Sequence, residues 1–155
     1  MKTTFLRLIL FLALTFAGLG LGGIFTGSGV SSLWYQQLSK APWTPPGWVF
    51  GFAWSTIMIC LSIYMATSWK AVKKHKTLIF AFILQWILNV GWSPVFFYFH
   101  EVTMGFIIIT LLTVLIAWMI AHFNPEMKTK TLLLLPYLLW LIIATSLNGF
   151  ILINN

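Results

Sequence analysis

The chain has 155 residues, of which 60% are hydrophobic and 7% charged, with a mean hydropathy of +0.95. No water-soluble domain of this length carries so apolar a composition, so an integral membrane protein is expected. The net charge of +7 could suggest a nucleic-acid partner, but the basic residues are distributed as membrane topology would place them, and no nucleic acid is expected.

Five apolar runs reach the length of about 20 residues that a helix needs to cross a hydrocarbon core about 30 Å thick. They fall at roughly 5 to 26, 47 to 69, 77 to 98, 104 to 122 and 132 to 153. The alternating pattern of a membrane barrel is absent, and helices satisfy their own backbone. The expected architecture is an all-α bundle of five transmembrane helices, a single membrane domain over 1–155.

The first run, LILFLALTFAGLGLGG behind Lys2 and Arg7, is too long for a signal-peptide core and has no clear small-x-small cleavage site, so it counts as a retained helix. Ala13 and Ala17, Gly18 and Gly22, and Gly23 and Gly27 are each four apart. That spacing lets helix backbones approach closely, against a neighbour in the bundle or against a second subunit, and makes this helix a candidate homodimer contact. Between the first two runs lies KAPWTPPGW, Lys40 to Trp48. Pro42, Pro45 and Pro46 have fixed φ and no amide donor, so the segment stays extended. With Trp43, Trp48 and the upstream Tyr35 it reads as a stiff lid whose rigidity lowers the entropic cost of binding, or as an ordinary interfacial loop.

Trp54 stands several residues inside the second run, and Cys60, the single cysteine, has packing as its default role. In the third run Gln85, Asn89 and Trp92 share one helical face; in the fifth, Trp140, Ala144 and Asn148 do the same. Amides facing lipid are costly, so both stripes are expected to look inward. Two readings stand: the amides glue helices together, or the stripes wall an apolar, aromatic cavity with a few orienting polar groups.

With five crossings, Lys2, Arg7, Lys70, Lys73, Lys74, Lys76, Lys128 and Lys130 fall on one side and Lys40 on the other. The positive-inside rule then places the N-terminus in the cytoplasm and the C-terminus outside. Glu101 and Glu126, the only carboxylates, are expected in loops on opposite faces, which argues against acid/base catalysis and a proton-coupled antiporter. His75, His100 and His122, expected at helix ends or in loops, have no metal-ligand spacing, so no metal site is expected.

Three stretches, WYQQLSKAPWTPPGWVFGFAW (34 to 54), LQWILNVGWSPVFF (84 to 97) and PYLLWLIIATSLN (136 to 148), closely resemble the translocator protein family, also called tryptophan-rich sensory proteins or peripheral-type benzodiazepine receptors. The resemblance covers nearly the whole chain, in order. It implies a bundle that binds porphyrins such as protoporphyrin IX, and synthetic isoquinoline carboxamides or benzodiazepines, in a cavity closed by the first loop. By the same resemblance Trp54, Asn89, Trp140 and Ala144 line the pocket, and Tyr35 and the lid prolines sit near its mouth. The implied role is tetrapyrrole transport, sensing or regulation, with no required cofactor. A second implied activity is light-dependent porphyrin breakdown using Trp54 and Trp140. A small exporter of aromatic compounds is a third reading, weakened by the missing intramembrane acid. Mammalian members carry a cholesterol-recognition pattern of Tyr followed by a basic residue. Here the segment reads LNGFILINN, with Phe150 near the Tyr position and no Lys or Arg after Lys130, which argues against a sterol role and for a bacterial plasma membrane.

Overall fold

The computed structural model describes residues 2–73 and 75–155, apart from the side chain of Lys70. The chain forms α1 (Lys2–Val30), α2 (Leu33–Gln37), α3 (Gly47–Ala71), α4 (His75–Ser93), α5 (Val102–Met127) and α6 (Leu135–Asn154). A π-helical turn, Pro94–Tyr98, extends α4, and a 3₁₀ segment, Lys128–Leu134, joins α5 to α6. All but α2 are long enough to span, so the expected five-helix membrane bundle is what the chain builds. The helices outrun the apolar runs at several ends. Glu126 is in the last turn of α5 and His122 is inside it, where a loop and a helix end were expected. The short helix α2, N-capped by the Ser32 hydroxyl accepting from the Tyr35 amide at 3.2 Å, was not visible in the apolar pattern.

Val102–Asn154 is a single apolar stretch of 53 residues, far longer than one crossing. It folds into a hairpin because Pro125 cannot donate into the last turn of α5 and Lys128 takes φ 51°, a left-handed conformation that stops the helix. At the opposite end of the bundle the same device recurs. Pro94 opens the π turn, Phe99 N–H reaches Pro94 O at 3.0 Å, and His100 at φ 57° reverses the chain into α5.

Lipid tails supply no hydrophobic drive between helices, so close packing and interhelical hydrogen bonds must hold the bundle. Thr15 and Ser62 join α1 to α3 at 3.0 Å, and Trp86 Nε1 donates to Leu14 O at 2.9 Å between α4 and α1. Tyr137 Oη donates to Gln85 Oε1 at 3.1 Å between α6 and α4, and Thr113 meets Thr145 at 3.0 Å between α5 and α6. Gln85 thus glues helices, as one reading of its stripe required.

The small residues of α1 divide into two faces. A Cβ on Gly18 would lie 2.7 Å from Trp86 Nε1, and one on Gly22 would lie 3.2 Å from Ser93 Oγ. These two glycines therefore serve packing on α4, the intramolecular one of the two readings of their spacing. Gly20, Gly23 and Gly27 have open space before them, and Ala13 and Ala17 are exposed.

The charged residues gather at the ends. Arg7 lies over the Trp69 ring at 5.0 Å, and Lys73 N–H donates to Glu126 Oε2 at 3.0 Å, so the starts of α1 and α4 and the ends of α3 and α5 share one face. Lys74, part of the basic loop read from the sequence, lies outside the described residues. Lys40, His100 and Glu101 mark the other face.

Candidate ligand-binding site

Every spanning helix contributes aromatic side chains to the interior, α1 through Phe11, which meets Phe82 edge-on at 5.1 Å. Trp140, 6% exposed on α6, meets Phe50 of α3 edge-on at 5.1 Å. One turn away Trp54 meets Tyr137 at 6.0 Å, with Tyr137 fixed by its bond to Gln85. Ala144 is buried one turn beyond Trp140 on α6, and Asn148 one turn further. On α4, Asn89 and Trp92 are half-buried. Trp92 stacks on Phe96 at 5.1 Å and takes part in both apolar clusters of the bundle. Phe96 in turn meets Trp34 at 5.5 Å, and Tyr35 packs on Phe97 at 5.3 Å. The result is two aromatic groups, one at the loop end around Phe96 and one deeper around Trp54 and Trp140, with Trp92 packed against both apolar clusters.

The structure therefore brings Trp54, Trp140 and Ala144 together, sets Asn89 on the facing helix and holds Tyr35 at the loop end. Burial pushes the Tyr35 phenol above its ordinary value, and Lys40 Nζ lies 4.7 Å over its ring. Phe50 and Phe96 were not among the residues singled out in the sequence, although the signal existed: each stands four residues from a tryptophan, Trp54 and Trp92, on the same helical face.

Among the described residues six buried side-chain polar atoms have no hydrogen-bond partner, and three of them, Trp92 Nε1, Trp140 Nε1 and Asn148 Oδ1, belong to the α4 and α6 stripes. Buried polar groups are almost always paired, so two indole donors and one amide acceptor left open in an aromatic interior are groups available to a ligand.

The proline segment runs down the flank of α6 rather than across the end of the bundle. Ser39 N–H donates to Asn155 Oδ1 at 2.8 Å, and Asn155 Nδ2 returns a bond to Ser39 O at 3.3 Å. Further along, Trp43 Nε1 donates to Ser146 Oγ at 3.1 Å and its ring meets Phe150 at 5.5 Å. Pro42 and Pro46 are exposed, Pro45 is half-buried, and Pro46 immediately precedes α3. Trp48, in the first turn of α3, is 73% exposed and points away from the interior. Trp43 walls an open groove of about 500 Å³ with Phe106, Ile142 and Ile153 on the outer flank of α5 and α6. The strap is thus pinned at two points. Replacing Trp43 and Asn155 together by Ala should speed hydrogen exchange of amides 39–44 at least tenfold and leave α3 and α6 protected. Unchanged exchange would show that the prolines alone hold the segment.

Fold and interior together define a five-helix membrane protein with an aromatic, partly unpaired core and a strap pinned along the flank of α6. Its sequence agrees: a model of the TspO/MBR family matches residues 10–153, and the chain belongs to that family. It is 34% identical over 146 residues to the tryptophan-rich protein TspO of Chlorobaculum tepidum, covering 89% of this chain and 92% of that one. It is 32% identical to protein CrtK of Rhodobacter capsulatus over 143 residues, 90% and 86% of the two chains. Human translocator protein is 32% identical over 137 residues, 81% and 79% of the two chains.

Proposed function

We propose that this protein is a membrane receptor or carrier for tetrapyrroles, protoporphyrin IX foremost, whose site also accepts isoquinoline carboxamide and benzodiazepine ligands. The observation that carries the reading is the aromatic interior with Trp92 Nε1, Trp140 Nε1 and Asn148 Oδ1 unpaired. Family membership supports it. A large planar ligand gains stacking area from the indoles and orientation from the three open polar groups, with Tyr35 at the loop end. No cofactor is needed for binding.

The test is purified protein titrated with protoporphyrin IX, followed by quenching of tryptophan fluorescence in the dark and by absorbance in light. Saturable, reversible quenching is the expected result, and its absence would sink the reading. Turnover of porphyrin to new products in light would assign the alternative, an enzyme-like oxidative breakdown at Trp54 and Trp140. Flux across proteoliposomes separates carrier from receptor.

The setting proposed is a bacterial plasma membrane, with the N-terminus cytoplasmic. Eight basic residues against one support that orientation. In a variant lacking Cys60, a cysteine at Lys130 should react with an impermeant maleimide only after the cells are opened, and one at Ile153 in intact cells. The reverse pattern would invert the topology. A homodimer, if α1 forms it, would use the outward Ala13, Ala17, Gly20, Gly23 and Gly27.

A further inference from the structure

Arg7 stands among the outward apolar residues of α1, with Phe5 and Leu6 exposed before it and Ile9 and Leu10 exposed after it. It is about 7.5 Å along the helix axis from Lys2. The residue is half-buried, and its Cζ lies 5.0 Å over the ring of Trp69 in the last turn of α3. His75, which opens α4, stacks on the same ring at 5.0 Å. Three helices therefore meet at one indole, and a cation rests on it.

The indole face attracts the charge but offers no oxygen to the five N–H donors of a guanidinium. The chain has two carboxylates. Glu101 precedes α5 on the opposite face of the bundle, and Glu126 Oε2 accepts from Lys73 N–H at 3.0 Å. Among the described residues Arg7 thus has an aromatic platform and no oxygen acceptor. An arginine at the level of lipid-facing side chains extends its head to the phosphate plane, where the planar fork matches a phosphodiester. Leu10 and Leu14 follow Arg7 at i+3 and i+7, on the same helical face and exposed, which gives acyl chains a track below it.

The rest of the face selects the headgroup. Lys2, Lys73, Lys76, Lys128 and Lys130 are all exposed there, with Glu126 as their one acidic neighbour. A zwitterionic headgroup would bring its own ammonium into that field, whereas one built of phosphate and hydroxyls brings no cation. We infer that Arg7 on its Trp69 platform is the binding site for one anionic phospholipid, with the guanidinium holding the phosphodiester and the acyl chains lying along Leu10 and Leu14. The lipid then neutralises a cation at the junction of α1, α3 and α4, so it stabilises that junction.

The test is native mass spectrometry of the detergent-purified protein titrated with dioleoylphosphatidylglycerol or dioleoylphosphatidylcholine, with thermal survival measured on the same samples. A first phosphatidylglycerol should be retained about tenfold more tightly than later ones and than phosphatidylcholine, and it should raise thermal survival. Arg7→Lys keeps the charge but loses the planar fork, and should lose most of that preference. Lys76→Gln removes a charge from the same face and should change it less than about twofold. Loss in Lys76→Gln as large as in Arg7→Lys would make the face a diffuse surface charge and overturn the site. Inorganic phosphate and glycerol phosphate at matching concentration should neither stabilise the protein nor displace the lipid; displacement would overturn the lipid in favour of a free phosphate. Should Arg7→Lys not fold, the unaltered protein decides: adducts that accumulate with equal affinity, or equal retention of both lipids, would overturn the proposal.

Discussion

Gly18→Leu is expected to abolish the folded bundle at moderate temperature, while Gly23→Leu leaves it intact. At position 18 even a Cβ would lie 2.7 Å from Trp86 Nε1 and 3.2 Å from Val90 Cγ2. Trp86 cannot simply swing aside, because its indole donates to Leu14 O at 2.9 Å, one turn earlier on the same helix. A leucine there must push α1 off α4 or break that bond and leave both groups unpaired beside lipid. Overpacking costs about 1–3 kcal/mol, and a lost hydrogen bond with unsatisfied partners adds about as much again. The damage also spreads along the seam. Gly22 faces Ser93, whose hydroxyl accepts from Thr26 at 3.2 Å, and Gly29 is pressed against Phe97, so the two helices are in register over three turns. Position 23 meets open space, where a leucine touches only lipid. The measurement is the fraction of monodisperse protein remaining in detergent after heating. Equal survival of both variants would show that α1 and α4 do not depend on this seam. A dimer lost only in Gly23→Leu would place a second copy on the outer face.

The contrast between those glycines shows what was legible in the sequence. A four-residue spacing announces that helix backbones come close, but positions 18, 22, 23 and 27 all satisfy it. Which pair faces inward depends on the rotation of α1, set by Trp86 and Ser93 on another helix. The five spans were legible because hydrocarbon thickness sets their length. The inward stripes were legible because amides avoid lipid: Trp140, Ala144 and Asn148 are all buried, and Gln85 on α4 likewise. The strap was legible only as stiffness. Proline fixes local φ, but whether an extended segment crosses the end of a bundle or descends its flank is decided by contacts such as Ser39 with Asn155, which are 116 residues apart. Phe50 carried only a faint signal: standing four residues from Trp54 marks a shared helical face, but not that the face meets Trp140 of another helix.

Two substitutions on α6 should then separate stability from recognition. Tyr137 is 1% exposed and Trp140 6% exposed, one turn apart, and both look into the same interior. Their polar atoms differ: Tyr137 Oη is spent on Gln85 Oε1 at 3.1 Å, whereas Trp140 Nε1 has no partner. Tyr137→Phe removes the donor and strands a buried amide oxygen, so it should destabilise the bundle by about 1–3 kcal/mol. Its effect on porphyrin affinity should be small, since the ring that meets Trp54 at 6.0 Å is kept. Trp140→Phe breaks no hydrogen bond and keeps an aromatic wall against Phe50, so the loss of stability should stay within about 1.5 kcal/mol. If Nε1 is left unpaired for a ligand, however, affinity for protoporphyrin IX should fall about tenfold, the worth of one hydrogen bond of about 1.4 kcal/mol. Thermal survival in detergent and porphyrin titration, run on the same preparations, read the two quantities independently. The prediction is a crossing pattern in which the less stable variant binds better. Parallel losses in both variants would mean that Trp140 only fills space, and the open indole donor would then have no part in recognition.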